Sequence, residues 1–345
     1  MKACFIRESG GLDRVTVGDL PNPIPGRGEA LVRVRAAALN HLDLWVVKGR
    51  PGAKLAEAGH VLGADAAGTV VALGMGAHGV SVGDEVVVDP GLACGACERC
   101  RAGETSTCAT YALIGAARSG TFAEMITVPA ENLVPRPQHL TWEESAALTL
   151  AHLTAWRMLV TRARVAPGET VLVHGIGGGV ALAGLQLARA AGAQVIVTSS
   201  AAQKLAQAKA LGAAHGIDYK KEDVAKRARE LTQGRGVDVV FDTVGQATLA
   251  ASLASVRKGG RIVTCGATSG PTASLELREL FWNQVDLLGS TMGSRAELRQ
   301  LLRFVSDAGL RPVVHSIRPL AQAREALAVL ERGEHLGKLV LKIGS

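Results

Sequence analysis

Four of the six cysteines, Cys94, Cys97, Cys100 and Cys108, fall in one glycine-bearing loop with the spacing C-x2-C-x2-C-x7-C. Thiolates this close around a turn can enclose one tetrahedral zinc ion at about 2.3 Å. An iron–sulfur cluster also uses four thiolates, but the x7 gap and the lack of a following Cys-Pro match its bacterial form poorly. Disulfides belong to exported chains, and the N-terminal MKACFIRESG has no hydrophobic signal region. With four protein thiolates as ligands no position stays open for substrate, so such a zinc is structural. Cys4 and Cys265 lie in apolar, strand-like runs and read as buried side chains.

The second chemical stretch is VLVHGIGGGVALAGLQLARA, residues 171–190. A short apolar run meets Gly175, Gly177, Gly178 and Gly179, and helical periodicity starts at Val180. Glycines supply the backbone angles that so sharp a turn demands. The first helical turn aims unpaired N–H groups and the positive dipole end across it, which suits a phosphate. Ala181 stands where the dinucleotide fingerprint has its last glycine, so the run reads G-x-x-G-x-x-A. A tight strand-to-helix turn explains the glycines equally well, and the residues downstream must decide. A second apolar run, Val195–Val197, follows about twenty residues on, where the strand beside the adenosine ribose is expected. Its tip carries Thr198, Ser199 and Ser200, with Lys204 one turn later, in place of the Asp or Glu of an NAD site. Hydroxyls and an ammonium suit a 2'-phosphate that a carboxylate would repel, so NADPH is the expected cofactor. The bland alternatives are N-capping of a helix 202–211 by the serines and a solvated Lys204.

These sites need two kinds of scaffold. The chain has 345 residues, enough for two domains, with 48% hydrophobic and 20% charged residues. Aromatics are 3%, so the core is built from small and aliphatic side chains. The net charge of +7 fits anionic ligands, but no Lys/Arg block or aromatic-interleaved basic patch points to nucleic acid. No apolar run reaches membrane-spanning length, so a cytoplasmic protein is expected. Strand-length runs at 30–35, 68–73 and 85–88, separated by turn signals, predict a β-rich N-terminal domain. From about Thr141 helices enter, and strands at 171, 195, 237–241, 261–265 and 286–289 alternate with them, which predicts a parallel sheet with helices on both faces. A last stretch, 311–342, with a helix at 320–332, is expected to rejoin the N-terminal domain. The boundaries are placed at 1–150 with 293–345, and at 151–292.

A glycine-rich turn after a β-rich domain and a four-cysteine lobe at about 90–110, with LNHLDLWVVKG, HVLGADAAGTVVALG, GDEVVV, LTAW, FDTVG and GKLVLKIG, resembles the medium-chain dehydrogenase/reductase superfamily of zinc alcohol dehydrogenases and quinone oxidoreductases. The resemblance implies a GroES-like catalytic domain, a Rossmann doubly wound cofactor domain and α/β class. By matched position it implies cofactor contacts at Tyr219, Thr243, Gly245 and Gly266, the last two through close backbone approach. It also implies a homodimer or homotetramer paired along the strand at 287–291. A strand-end tyrosine is the plain alternative for Tyr219.

The departures bear on the reaction. Relatives with a catalytic zinc hold it with a Cys at the position of Asn40, a His at Ala64 and a Cys near Leu150; the following Glu is Asp65 here and the hydroxyl residue of the proton relay is Leu42. Asn and Ala cannot replace a thiolate and an imidazole around zinc. Without that Lewis acid, reduction of an activated C=C bond or a quinone is expected rather than alcohol oxidation. A non-standard metal site drawn from His41, Asp43, His60, Asp65 or His152 is the alternative, and an NADPH-binding protein without turnover is a third reading. Trp45 stands where some zinc-free relatives have Tyr, and an indole cannot give a proton at neutral pH. Asn40, His41, Asp43 and His152 remain as polar candidates for the reaction with a small-molecule substrate. Asp43 could equally hold backbone N–H groups, and His152 could be a core histidine.

Overall fold

The computed structural model describes residues 1–49, 55–56 and 58–344. The chain divides into two compact units, Met1–Leu153 with Gly293–Ser345, and Thr154–Met292.

In the first unit the long strand Glu29–Ala38 is the centre of a seven-stranded sheet. Its alternating burial follows from alternating apolar residues: Ala30, Val32 and Val34 point into the core, and a register shift after Val34 puts Ala37 there next. Asp65–Leu73 pairs with it antiparallel on one side, and Lys338–Lys342 pairs antiparallel on the other. The C-terminal segment thus joins the N-terminal β-domain through main-chain pairing, with Val340 opposite Ala38. Residues 320–332 fold as a short 3-10 turn, Leu320–Gln322, followed by the helix Ala323–Arg332, so the regular helix begins later than the apolar pattern suggests. Phe5, Leu62, Ile114 and Phe122 are among the buried residues that fill this core.

The second unit holds six parallel strands in the order His215–Asp218, Gln194–Ser199, Thr170–Val173, Val237–Asp242, Val256–Thr264, Asp286–Gly289. The order reverses direction beside Thr170–Val173, which is the doubly wound arrangement with its switch point at the glycine turn. Leu172, Ile196, Ile217, Val240 and Ile262 form the buried centre. The edge strand ends at Gly289, short of the expected Thr291. Among the described residues no helix is long and apolar enough to cross a membrane.

Candidate functional site

The cysteine lobe is held at its base by a two-strand ladder, Gly91–Leu92 against Ala112–Leu113. Asn132 locks the ladder by donating to the carbonyls of Asp89 and Gly91 at 2.8 and 2.7 Å. Within the lobe, Cys94 and Cys100 Sγ atoms are 3.9 Å apart, Cys97 and Cys108 3.8 Å, and Cys94 and Cys108 3.6 Å. A tetrahedron of sulfurs at the zinc–thiolate distance has edges of about 3.8 Å, so the four atoms have the size of a zinc cage and are far too distant for disulfides. The backbone N–H of Cys94, followed by Thr110, draws the Cys108 thiol down to about 6, towards the thiolate that binds metal. Burial first, then its cysteine neighbours, push Cys100 up to about 12, and a bound metal must displace that proton. Among the described residues this is the one group of His, Cys, Asp or Glu ligand atoms arranged to hold a metal ion.

In the second unit the turn after Thr170–Val173 has Gly175 at φ +67° and Gly177 at φ +150°, angles closed to most side chains. Gly178 caps the helix Gly179–Ala190, and a Cβ placed on it would meet nothing within 4 Å. The turn therefore presents open backbone at a helix N-terminus, a cradle that fits a dinucleotide pyrophosphate. Thr198 fixes it from the next strand: its hydroxyl accepts from the Gly175 N–H at 3.1 Å and its carbonyl from the Ile176 N–H at 2.8 Å. Behind the turn, a Cβ on Gly184 would lie 2.9 Å from the Phe241 ring, so the glycine lets the helix settle on the sheet.

The residues expected on the adenosine side gather at the tip of Gln194–Ser199. Ser199 is buried and its hydroxyl accepts from the Ala201 N–H at 3.2 Å. The helix Ala202–Ala210 is capped by Ala201, not by a serine side chain. Tyr219 is half exposed, and its hydroxyl donates to Ser200 Oγ at 3.1 Å. Lys204 is half-buried on the helix, and burial lowers its pKa. Gly245 and Gly266 lie close to neighbouring backbone. A Cβ on Gly245 would stand 2.8 Å from the Gly266 carbonyl oxygen, and one on Gly266 2.3 Å from that of Thr243. These glycines thus permit a close approach of one loop to the other.

A buried network under the turn was not legible in the sequence. His174 bonds Ser252 Oγ through Nε2 at 3.1 Å and lies 3.5 Å from Thr198 Oγ1. Ser252 donates to Asp242, whose carboxylate also takes the N–H groups of Val244 and Gly245 and the Thr248 hydroxyl. The glycine turn and the Thr243–Gly245 loop are thereby tied to one frame.

The polar candidates of the first unit divide into two groups. Asp43, wholly buried on the helix His41–Val47, accepts from the N–H groups of Asn40 at 2.8 Å and Gly63 at 3.1 Å, so its carboxylate fixes the helix start. Burial chiefly raises it to about 7. His152 is buried on Thr149–Trp156, and His60 is buried against the Gly115 carbonyl at 3.0 Å. His41 opens the helix and is exposed as a residue; burial of its imidazole first, then the Lys338 charge, lowers its pKa.

Asn40 faces inward. Its Nδ2 donates to Asp65 Oδ2 at 2.9 Å and to the Ala38 carbonyl at 3.3 Å, and its Oδ1 accepts from Lys338 Nζ at 2.6 Å. Asp65 Oδ1 takes the Thr149 hydroxyl at 2.6 Å and the Leu150 N–H at 2.8 Å. The positions matched to a catalytic zinc therefore converge on a carboxylate and an ammonium, and they do not form a zinc ligand set. Lys338 was missed in the sequence; a charged residue opening the apolar run LVL was the only signal.

Residues 26–138 match the family described as Alcohol dehydrogenase GroES-like domain, and residues 179–307 the one described as Zinc-binding dehydrogenase. A zinc-type alcohol dehydrogenase-like protein of Schizosaccharomyces pombe is 36% identical over 92% of this chain and 91% of its own. A crotonyl-CoA reductase of Streptomyces collinus is 32% identical over 94% and 80%. The crystal structure of an NAD-dependent alcohol dehydrogenase is 45% identical and superposes with a TM-score of 0.95 over 100% of both chains.

Proposed function

The chain belongs to the zinc-binding dehydrogenases with an alcohol dehydrogenase GroES-like domain, and on that premise we propose that it is an NADPH-dependent reductase of C=C bonds activated by a conjugated carbonyl, or of quinones, working without a catalytic metal. One observation carries the reading: Asn40 and Asp65, at and beside the matched ligand positions, spend their polar atoms on each other, on Lys338 and on Thr149 and Leu150. The similarity to a crotonyl-CoA reductase supports reduction of an activated C=C bond.

When bound, the dihydronicotinamide supplies a hydride to an electrophilic carbon of the substrate. The chain's own part is to bind, orient and handle charge. Gly177, Gly178 and Gly179 would offer backbone N–H groups to the pyrophosphate, and Ser200, Tyr219 and Lys204 supply hydroxyls and a cation for a 2'-phosphate. His41, its pKa lowered, can offer an imidazole N–H to the carbonyl oxygen, which becomes negative as hydride adds to the β-carbon and the C=C electrons shift to give an enolate. One proton from solvent completes the saturated product. The four cysteines would hold one zinc that only shapes their lobe.

The alcohol dehydrogenase relatives favour a second reading, alcohol oxidation through a non-standard metal site. NADPH oxidation with enones, quinones and enoyl thioesters, with and without a chelator, together with metal analysis, separates the two. The proposal requires one zinc per chain and turnover on one of these classes. Two metals per chain with turnover confined to alcohols and aldehydes would overturn it, and NADPH binding with no turnover at all would leave only a binding protein.

A further inference from the structure

We propose that Lys338 is a built-in cation of the catalytic domain, a positioning residue that compensates Asp65 and fixes Asn40 where relatives place a metal ion; its catalytic meaning rests on the reductase reading above.

The register of three strands brings the group together. Lys342, Leu341 and Val340 pair with Ala36, Ala37 and Ala38, and the Leu39 N–H reaches the Leu339 carbonyl at 2.9 Å. One step further sets Lys338 beside Asn40. From the other flank, Asp65 pairs with Ala38. The sheet itself thus delivers a cation and an anion to the two sides of one amide.

Every donor at the centre, and every acceptor site of its carboxylate, is used. The Lys338 ammonium has three donors, and it meets the Leu39 carbonyl at 2.7 Å, Asn40 Oδ1 at 2.6 Å and Asp65 Oδ2 at 3.2 Å. Asp65 accepts four bonds, from Thr149, Leu150, Asn40 and Lys338, which fills a carboxylate. Both side chains are buried, at 4% and 0% exposure. A lysine with all three protons committed does not protonate substrate. It acts through its neighbours instead: Asn40 is left with one free lone pair and no free donor, and the positive charge opposes a second one on His41. Negative charge developing on a substrate oxygen near Asn40 or His41 would be repelled by a bare Asp65, and the ammonium cancels that repulsion.

Charge compensation, as opposed to packing, is read by a cycle of Lys338→Met, Asp65→Asn and the double variant. Each single change leaves one buried charge unpaired and is expected to lower Tm by several degrees. Lys338→Met is also expected to lower kcat with the best enone roughly tenfold, with KM for NADPH little changed. The neutral pair Lys338→Met/Asp65→Asn should recover much of the Tm, and more kcat than Lys338→Met alone retains. A double variant no better than the singles would overturn the proposal. So would a second equivalent of cobalt bound by the parent and lost in Asp65→Asn, because a metal would then displace the ammonium. The Tm and cobalt measurements need no substrate, so a parent without enone turnover would refute the reductase reading while these arms still decide the role of Lys338.

Discussion

At the scale of single residues, the proposed preference for NADPH rests on the charge at the tip of Gln194–Ser199. The strand ends without a carboxylate of its own, and Asp218, opposite Ser199 on the neighbouring strand, accepts from the Lys220 N–H; Ser200 accepts from Tyr219, and Lys204 sits three residues into the helix that follows. An NADH ribose offers this group only hydroxyls, whereas NADPH offers a dianion for which a charge-assisted bond contributes about 1.5–3 kcal/mol. Lys204→Ala is therefore expected to weaken NADPH by roughly tenfold or more while NADH changes little, as read by titration of cofactor fluorescence. Equal losses for both would remove Lys204 from the phosphate site. The residues of this group were legible because they lie within a few positions of one another, as were the four cysteines. Lys338 was not, because its partners Asn40 and Asp65 are 298 and 273 positions away and only strand pairing makes them neighbours.

At the scale of elements, the helix His41–Val47 is two turns long and cannot stand by its own hydrogen bonds. Asp43 supplies what it lacks, a carboxylate that takes the Asn40 N–H and reaches across to Gly63. Burial raises this carboxyl to about 7, whereas in the unfolded chain it titrates near 3.9. Between those values the folded state binds more protons than the unfolded one. The Asp43 contribution to stability thus falls as pH rises from about 4 to 7, and is level above. Asp89, raised to about 6 mainly by burial, adds a similar decline over the lower part of that range. Asp43→Asn is expected to be less stable, through loss of one acceptor, and to show a shallower fall of Tm between pH 5 and 8 than the parent. Parallel curves would show that Asp43 stays ionised throughout. Apolar spacing gave the strand at 85–88 to the residue. The roles of Gly245 and Gly266 could not be read that way, since a glycine run does not say whether a ligand or another loop is the close neighbour.

At the scale of the whole molecule, the open question is what covers the outer edge of the parallel sheet. The strand Asp286–Gly289 pairs on one side only among the described residues, and Leu287 on it is exposed. The short helix just before it, Leu277–Trp282, leaves Leu277, Phe281 and Trp282 exposed at 64%, 66% and 71%. An unpaired strand edge beside three large apolar side chains is a surface that soluble chains protect by pairing or covering. Edge-to-edge pairing of two copies across a two-fold axis would extend the sheet and cover these side chains at once. Gel filtration with light scattering should then give a dimer, or a tetramer built from such dimers. Leu287→Lys with Trp282→Asp places charges on the edge and on its apolar flank, and is expected to give a folded monomer whose NADPH affinity is retained, because both positions lie away from the glycine turn in sequence and on the opposite end of the strand order from Ser199 and Lys204. A parent that runs as a monomer would leave the exposed helix to another role and remove the strand edge as its explanation.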